Sequence, residues 1–175
     1  MKIVPLLIAA LVWAGSTAQA QERPCDTAEG KAFDFWLGEW ELSWPGGQGG
    51  TPEGESGKGT NVIARILDDC IVQENFRSET GYKGMSVSTL HRRTGKWHQT
   101  WVDREGGYIA FTGEFRDGEM DLRTEPYTNP SGATQINRML WTSISQESID
   151  WHWQRSLDEG ATWEDMWVIH YARKK

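Results

Sequence analysis

Phe33-Asp34-Phe35-Trp36-Leu37-Gly38-Glu39-Trp40 decides the fold of this chain. Five of these eight residues are large and apolar, and four of those are aromatic. The strand-like run Glu41-Leu42-Ser43-Trp44 follows at once. A cluster of aromatic side chains with a Gly hinge, opening a chain otherwise rich in strand signals, is suited to plug one end of a small β-barrel. A closed barrel can enclose a ligand cavity, so this stretch bears on function as well as on fold.

Upstream, Thr27 to Phe35 predicts a short helix of a turn or two, with Asp26 or Thr27 as its N-cap. Further upstream, residues 1–20 read as a cleaved secretory signal: Lys2, an apolar run from Ile3 to Trp13, then the small-x-small site Ala18-Gln19-Ala20. The apolar run is shorter than the roughly 20 residues a membrane span requires. Gln21, not Cys, follows the cut, which argues against a lipid anchor. The expected mature protein, residues 21–175, is one exported domain, periplasmic or secreted. Removing Lys2 takes the formal charge from −7 to −8, and this acidity argues against a nucleic-acid partner. No later stretch is apolar enough to span a membrane, and the chain carries no signature of an oligomeric state.

Downstream, Pro45 to Gly59 is rich in Gly and has no large apolar side chain, which predicts a loop. Its Gly57-Lys58-Gly59 is not a phosphate loop, because Gly rather than Ser or Thr follows the Lys. From Thr60 onward nine β-favouring runs alternate with turns: Asn61–Leu67, Ile71–Arg77, Lys83–Leu90, Lys96–Val102, Tyr108–Phe115, Glu119–Thr124, Gln135–Ser143, Ser148–Arg155 and Trp163–Ala172. With Glu39–Trp44 they make ten. Short strands at even spacing read as an antiparallel meander, and closure hides its edges. The expected fold is therefore all-β, a single up-and-down barrel of about ten strands with a short N-terminal helix closing one end.

Alternation assigns the faces. Met120, Leu122 and Thr124 share the inward face, and Trp151, Trp153 and Arg155 share one face opposite Asp150, His152 and Gln154. Trp163, Asp165, Trp167, Ile169 and Tyr171 share one face of the last run, with His170 on the other. Both faces of Trp97–Asp103 are mixed. Cys25 and Cys70 either form one disulfide, as an oxidising compartment favours, or remain two thiols with Cys70 buried.

Phe33–Trp40, Tyr82-Lys83-Gly84-Met85-Ser86, Trp97-His98-Gln99-Thr100-Trp101-Val102-Asp103 and Ser156-Leu157-Asp158-Glu159-Gly160-Ala161-Thr162-Trp163 resemble an uncharacterised family of exported bacterial proteins, a domain of unknown function. The Trp-Leu-Gly-x-Trp element is also similar to the N-terminal signature of calycins, the superfamily of lipocalins, fatty-acid-binding proteins and nitrobindins. That resemblance implies a ten-stranded barrel and leaves function open. Ser156-x-Asp158-x-Gly160-x-Thr162-Trp163 matches the Asp-box of sialidases, a turn-bracing motif, and here it occurs once.

Ten Trp in the expected mature chain suit either a ligand-binding wall or a filled barrel interior. The expected wall is Trp97, Trp101, Trp153 and Tyr171, with Gln99, Glu74 and Arg138 orienting a small apolar or aromatic molecule. The second possibility is a lyase, isomerase or cyclase in the same cavity, with Glu74 or Asp103 as acid/base and Arg138 against an anionic group. The third is an envelope interaction module without a ligand. The reading leans away from an enzyme, because no nucleophile motif is present. The four His show no metal-ligand spacing, so no metal is expected. Nitrobindins bind haem through a C-terminal His, but the strand parity of His170 places it outside, so no cofactor is expected.

Overall fold

Alternation between large apolar and polar residues at period two governs the molecule from Gly38 onward, and the computed structural model, which describes residues 25–175, resolves it into eleven strands. They are β1 (Gly38–Pro45), β2 (Ser56–Ile66), β3 (Ile71–Ser78), β4 (Lys83–His91), β5 (Lys96–Asp103), β6 (Tyr108–Arg116), β7 (Glu119–Arg123), β8 (Tyr127–Thr128), β9 (Thr134–Thr142), β10 (Ser148–Ser156) and β11 (Glu164–Arg173). Every pairing is antiparallel. Spatial order follows sequence order from β1 through β7 to β9, β10 and β11, and β11 pairs back onto β1. Ten strands thus form a closed barrel. The two-residue β8 pairs only with β9. The expected signal peptide, residues 1–20, lies outside the described residues.

Closure leaves one inward face per strand. On β1 it is Trp40, Leu42 and Trp44; on β3, Val72, Glu74 and Phe76; on β7, Met120 and Leu122. Fully burying such a side chain stabilises by about 1.5–3 kcal/mol.

Three particulars differ from the sequence reading. The expected helix is two 3₁₀ turns, Glu29–Lys31 and Asp34–Trp36. Its N-cap position is Ala28 rather than Asp26 or Thr27, although the Thr27 hydroxyl accepts the Gly30 N–H at 3.0 Å. The Gly-rich loop ends sooner, because Ser56 to Gly59 join β2. Gly57 is needed there, as a Cβ would collide with the Trp44 indole. Finally, β11 carries a bulge: Trp153 pairs with Trp167, but Gln154 pairs with Asp165. The extra residue at Met166 reverses the faces beyond it. Trp167, Ile169 and Tyr171 point inward, whereas Asp165 and Trp163 lie outside.

The segment before β1 is tied down from several sides. Cys25 and Cys70 form a disulfide with Cα atoms 5.2 Å apart. Arg65 reaches the Gly30 carbonyl at 2.8 Å and pairs with Asp34. Arg173 donates to the Leu37 carbonyl at 2.8 Å, with its guanidinium 4.0 Å above the Trp40 ring. Trp40 Nε1 donates to the Trp36 carbonyl at 2.8 Å. The Gly hinge exists in the backbone, with φ at +118° for Gly38. The Phe33 ring meets Trp97 and Trp141 edge-on at 4.9 and 5.5 Å, and Trp36 meets Trp141 at 5.2 Å. All four are fully buried.

Candidate functional site

Not all of the barrel interior is filled. A cavity of about 260 Å³ lies among inward side chains of β3, β5, β6, β9, β10 and β11. Its wall is aromatic: Phe76, Trp101, Phe111, Trp151, Trp153 and Trp167, completed by Ile109, Met139 and Ile169. Neighbouring rings meet steeply. Trp151 and Trp167 are inclined at 88°, Phe76 and Trp167 at 85°, and Phe111 and Trp153 at 81°. The Trp101 indole has room because β4 presents Gly84 beneath it, where a Cβ would collide with the ring. Beside the cavity, the β1–β2 loop lies against Trp167, and Gln48 Oε1 accepts the Val168 N–H at 2.8 Å.

Two polar groups sit deep in this wall. Glu74 is 5% exposed and Tyr171 2%. The Glu74 carboxylate accepts Asn61 Nδ2 at 2.6 Å on one oxygen and the Ser86 hydroxyl at 2.7 Å on the other. Asn61 Nδ2 also reaches the Tyr171 hydroxyl at 3.2 Å. Neither hydrogen bond brings a positive charge, and Glu74 has no ion-pair partner among the described residues. Burial therefore pushes its carboxyl up to about 7, against the lowering effect of Ser86 and Asn61. Burial, and then the Glu74 charge, raises the Tyr171 hydroxyl well above its ordinary value. Near neutrality Glu74 can accept or release a proton.

A second polar pair borders the cavity in a more open position. The Tyr82 hydroxyl donates to Asp103 Oδ2 at 2.9 Å, and Trp101 Nε1 to the same oxygen at 3.4 Å. The Gly107 and Glu105 N–H groups donate to Oδ1 at 3.0 and 2.8 Å. These bonds, with Gly107 foremost, hold the Asp103 carboxyl below its usual range. Burial, then Asp103, pushes Tyr82 up to about 12. Asp103 is thus a fixed anion and Glu74 a titratable one.

Of the residues expected from the sequence, Glu74, Trp101, Trp153, Tyr171 and Asp103 line this cavity. Trp97 and Gln99 do not. Trp97 packs against Phe33. Gln99 is buried but donates to Ser88 at 2.8 Å. Arg138, expected inside, is on the outer face: it pairs with Asp121 at 3.2 Å, donates to Gln154 at 2.5 Å and stacks 4.1 Å above Trp163. The reason is parity, since Asn137, Met139 and Trp141 take the inner face of β9. Arg155, two residues beyond Trp153 on β10, pairs with Glu164 at 2.8 Å and does not line the cavity. His170 also faces outward and meets Asp150 at 2.8 Å. Among the described residues no cluster of three His, Cys, Asp or Glu side chains could hold a metal.

Sequence reasoning missed Asn61, Ser86 and Tyr82, which hold the two carboxylates. Asn61 and Ser86 share face parity with Ile63 and Ser88, but no local pattern marks them as partners of Glu74. Trp151 and Trp167 were legible, as each shares a face with an expected wall residue.

The single Asp-box folds as a turn. Asp158 Oδ1 accepts the Ser156 hydroxyl at 2.7 Å and the Thr162 N–H at 2.9 Å, while Ser156 Oγ accepts the Gly160 N–H at 2.8 Å. The Thr162 bonds foremost pull the Asp158 carboxyl down to about 2. Its Trp163 rests under Arg138 and Arg123 on the outer surface, not in the core. No family model matches this chain, and no curated protein is detectably similar to it. The fold is compatible with a calycin-like barrel.

Proposed function

We propose that this protein is an exported, calycin-like binding protein that holds a small, largely apolar or aromatic molecule inside its barrel. The carrying observation is the aromatic-walled cavity of about 260 Å³ with a few converging polar groups, the usual character of small-molecule sites. The cavity also weighs against the interaction-module alternative. Export accords with the signal-like residues 1–20 and with the Cys25–Cys70 disulfide, a bond at home in oxidising compartments. In this reading the 3₁₀ segment closes one end of the barrel, so that the ligand enters beside Tyr82 and Trp167. The test is native mass spectrometry of protein purified from its own host, together with tryptophan quenching by a panel of small aromatic and aliphatic molecules. A retained small molecule, displaced in Trp153→Ala, supports the reading. No retained mass and no quenching at millimolar concentration overturns it.

One observation favours a second reading, a lyase, isomerase or cyclase. Glu74, pushed up to about 7, is suited to move a proton at neutral pH. Arg138 has no part in it, because it faces outward. A turnover whose pH–rate profile survives Glu74→Gln excludes this assignment.

A further inference from the structure

We infer that the cavity selects an organic cation, a small amine or quaternary ammonium compound whose charge sits near Glu74 within the aromatic wall. The inference rests on the reading of the cavity as a ligand site and names the ligand's chemical class.

Charge is the first ground. Two carboxylates, Glu74 and Asp103, border the cavity, and no Lys, Arg or His does. Asp103 is held by N–H and O–H donors of the chain itself. Glu74 is nine-tenths buried, has only two neutral donors and has no counter-ion. A buried carboxylate left without a cation is costly, and a cationic ligand supplies what the chain omits. Arg104, which shares a neighbouring surface depression with Tyr82 and Trp167, is engaged by the Gly81 carbonyl at 2.7 Å.

Ring geometry is the second ground. Neighbouring aromatic rings around the cavity meet at 64° to 88°, so the wall bounds the space on several sides rather than as one stacked slab. Indole faces carry negative potential, and a desolvated cation surrounded by them is stabilised. Volume is the third ground: about 260 Å³ is below the drug-sized range of about 300–1,000 Å³, which suits a compact ion. Larger depressions elsewhere, such as one of about 460 Å³, are bordered by charged side chains already paired with each other, as in Lys96–Glu114 and Arg123–Asp121.

The test uses benzyltrimethylammonium, its neutral carbon isostere neopentylbenzene, and phenylacetate, each titrated into the protein by tryptophan fluorescence. The ammonium ion is expected to bind at least about tenfold more tightly than the isostere, and phenylacetate more weakly than both. Its affinity should rise as pH increases through about 7, where Glu74 ionises, although the ligand itself does not titrate. The other titratable groups on the cavity, Tyr171, Tyr82 and Asp103, ionise far from that window. Glu74→Gln should abolish both the preference and the pH dependence. If that variant misfolds, the wild-type pH dependence decides by itself. Equal or tighter binding of neopentylbenzene overturns the cation class and leaves the binding reading standing. Failure of all three probes to bind also overturns the cation class, and the binding reading then stands or falls on the retained mass and the wider panel.

Discussion

Two aromatic groups share the inside of one barrel and end in different states. Phe33, Trp36, Trp97 and Trp141 are each no more than 2% exposed and touch ring to ring. Trp101, Trp151, Trp153 and Trp167 are only partly buried and border empty volume. Residue type does not separate the groups, and neither does strand parity. What separates them is supply: Phe33 and Trp36 come from outside the strands, on a segment held by a disulfide and two arginines, and fill the space between Trp97 and Trp141. The loop beside Trp167 is rich in Gly and brings no large side chain to do the same. Aromatic content therefore marks a site only where nothing else on the chain occupies the gap.

The largest expected effect tests this contrast directly. Trp36→Ala should cost about 3–5 kcal/mol in urea unfolding, as removal of a packed aromatic does. Trp153→Ala, beside the void, should cost under about 2 kcal/mol while removing ligand quenching. Equal losses would break the contrast. Next in size is the disulfide. Its sequence separation of 45 corresponds to about 4 kcal/mol by chain entropy, less where the reduced chain keeps structure. Unfolding of Cys25→Ser with Cys70→Ser should show this loss, and the Trp36 and Trp97 indole hydrogens should exchange faster in the variant.

Glu74 sharpens the other side. Its carboxyl rises from 4.5 to about 7 on folding, so the folded state binds the proton more tightly than the unfolded chain. Stability is then complete below about 4.5 and is lost as pH rises through about 7, by roughly 3 kcal/mol in total. Urea midpoints at pH 5 and pH 8 measure it, and Glu74→Gln should flatten the difference. The smallest effect belongs to the outer face. Arg138→Ala breaks the stack on Trp163 and the bond to Asp121, and should cost about 1 kcal/mol with no change in ligand affinity. A change in affinity would return Arg138 to the site.

The ten barrel strands were legible because most keep period-two alternation and most turns have a Gly, Asp or Asn, the β9–β10 turn Ser143 to Glu147 being an exception. The site was legible in part. Trp101, Trp153 and Tyr171 lie where alternation puts them. Arg138 misled because β9 is apolar on both faces near Met139, Leu140 and Trp141. Trp163 and Asp165 misled because one extra residue at Met166 reverses parity without changing composition. β8 has only two residues, below the length at which alternation exists. The Asn61–Glu74–Ser86 contacts join three strands through register, which is set by turns and packing rather than by any local pattern.

Arg173 ties the two strands at the barrel seam to the segment before β1. Its guanidinium holds the Leu37 carbonyl 136 positions earlier, beside the β1–β11 seam that closes the barrel. During synthesis β1 emerges early and waits for β11 with one edge unpaired, the condition that exposes a nascent sheet to mispairing. Closure of the barrel thus waits on β11, the strand that covers that edge.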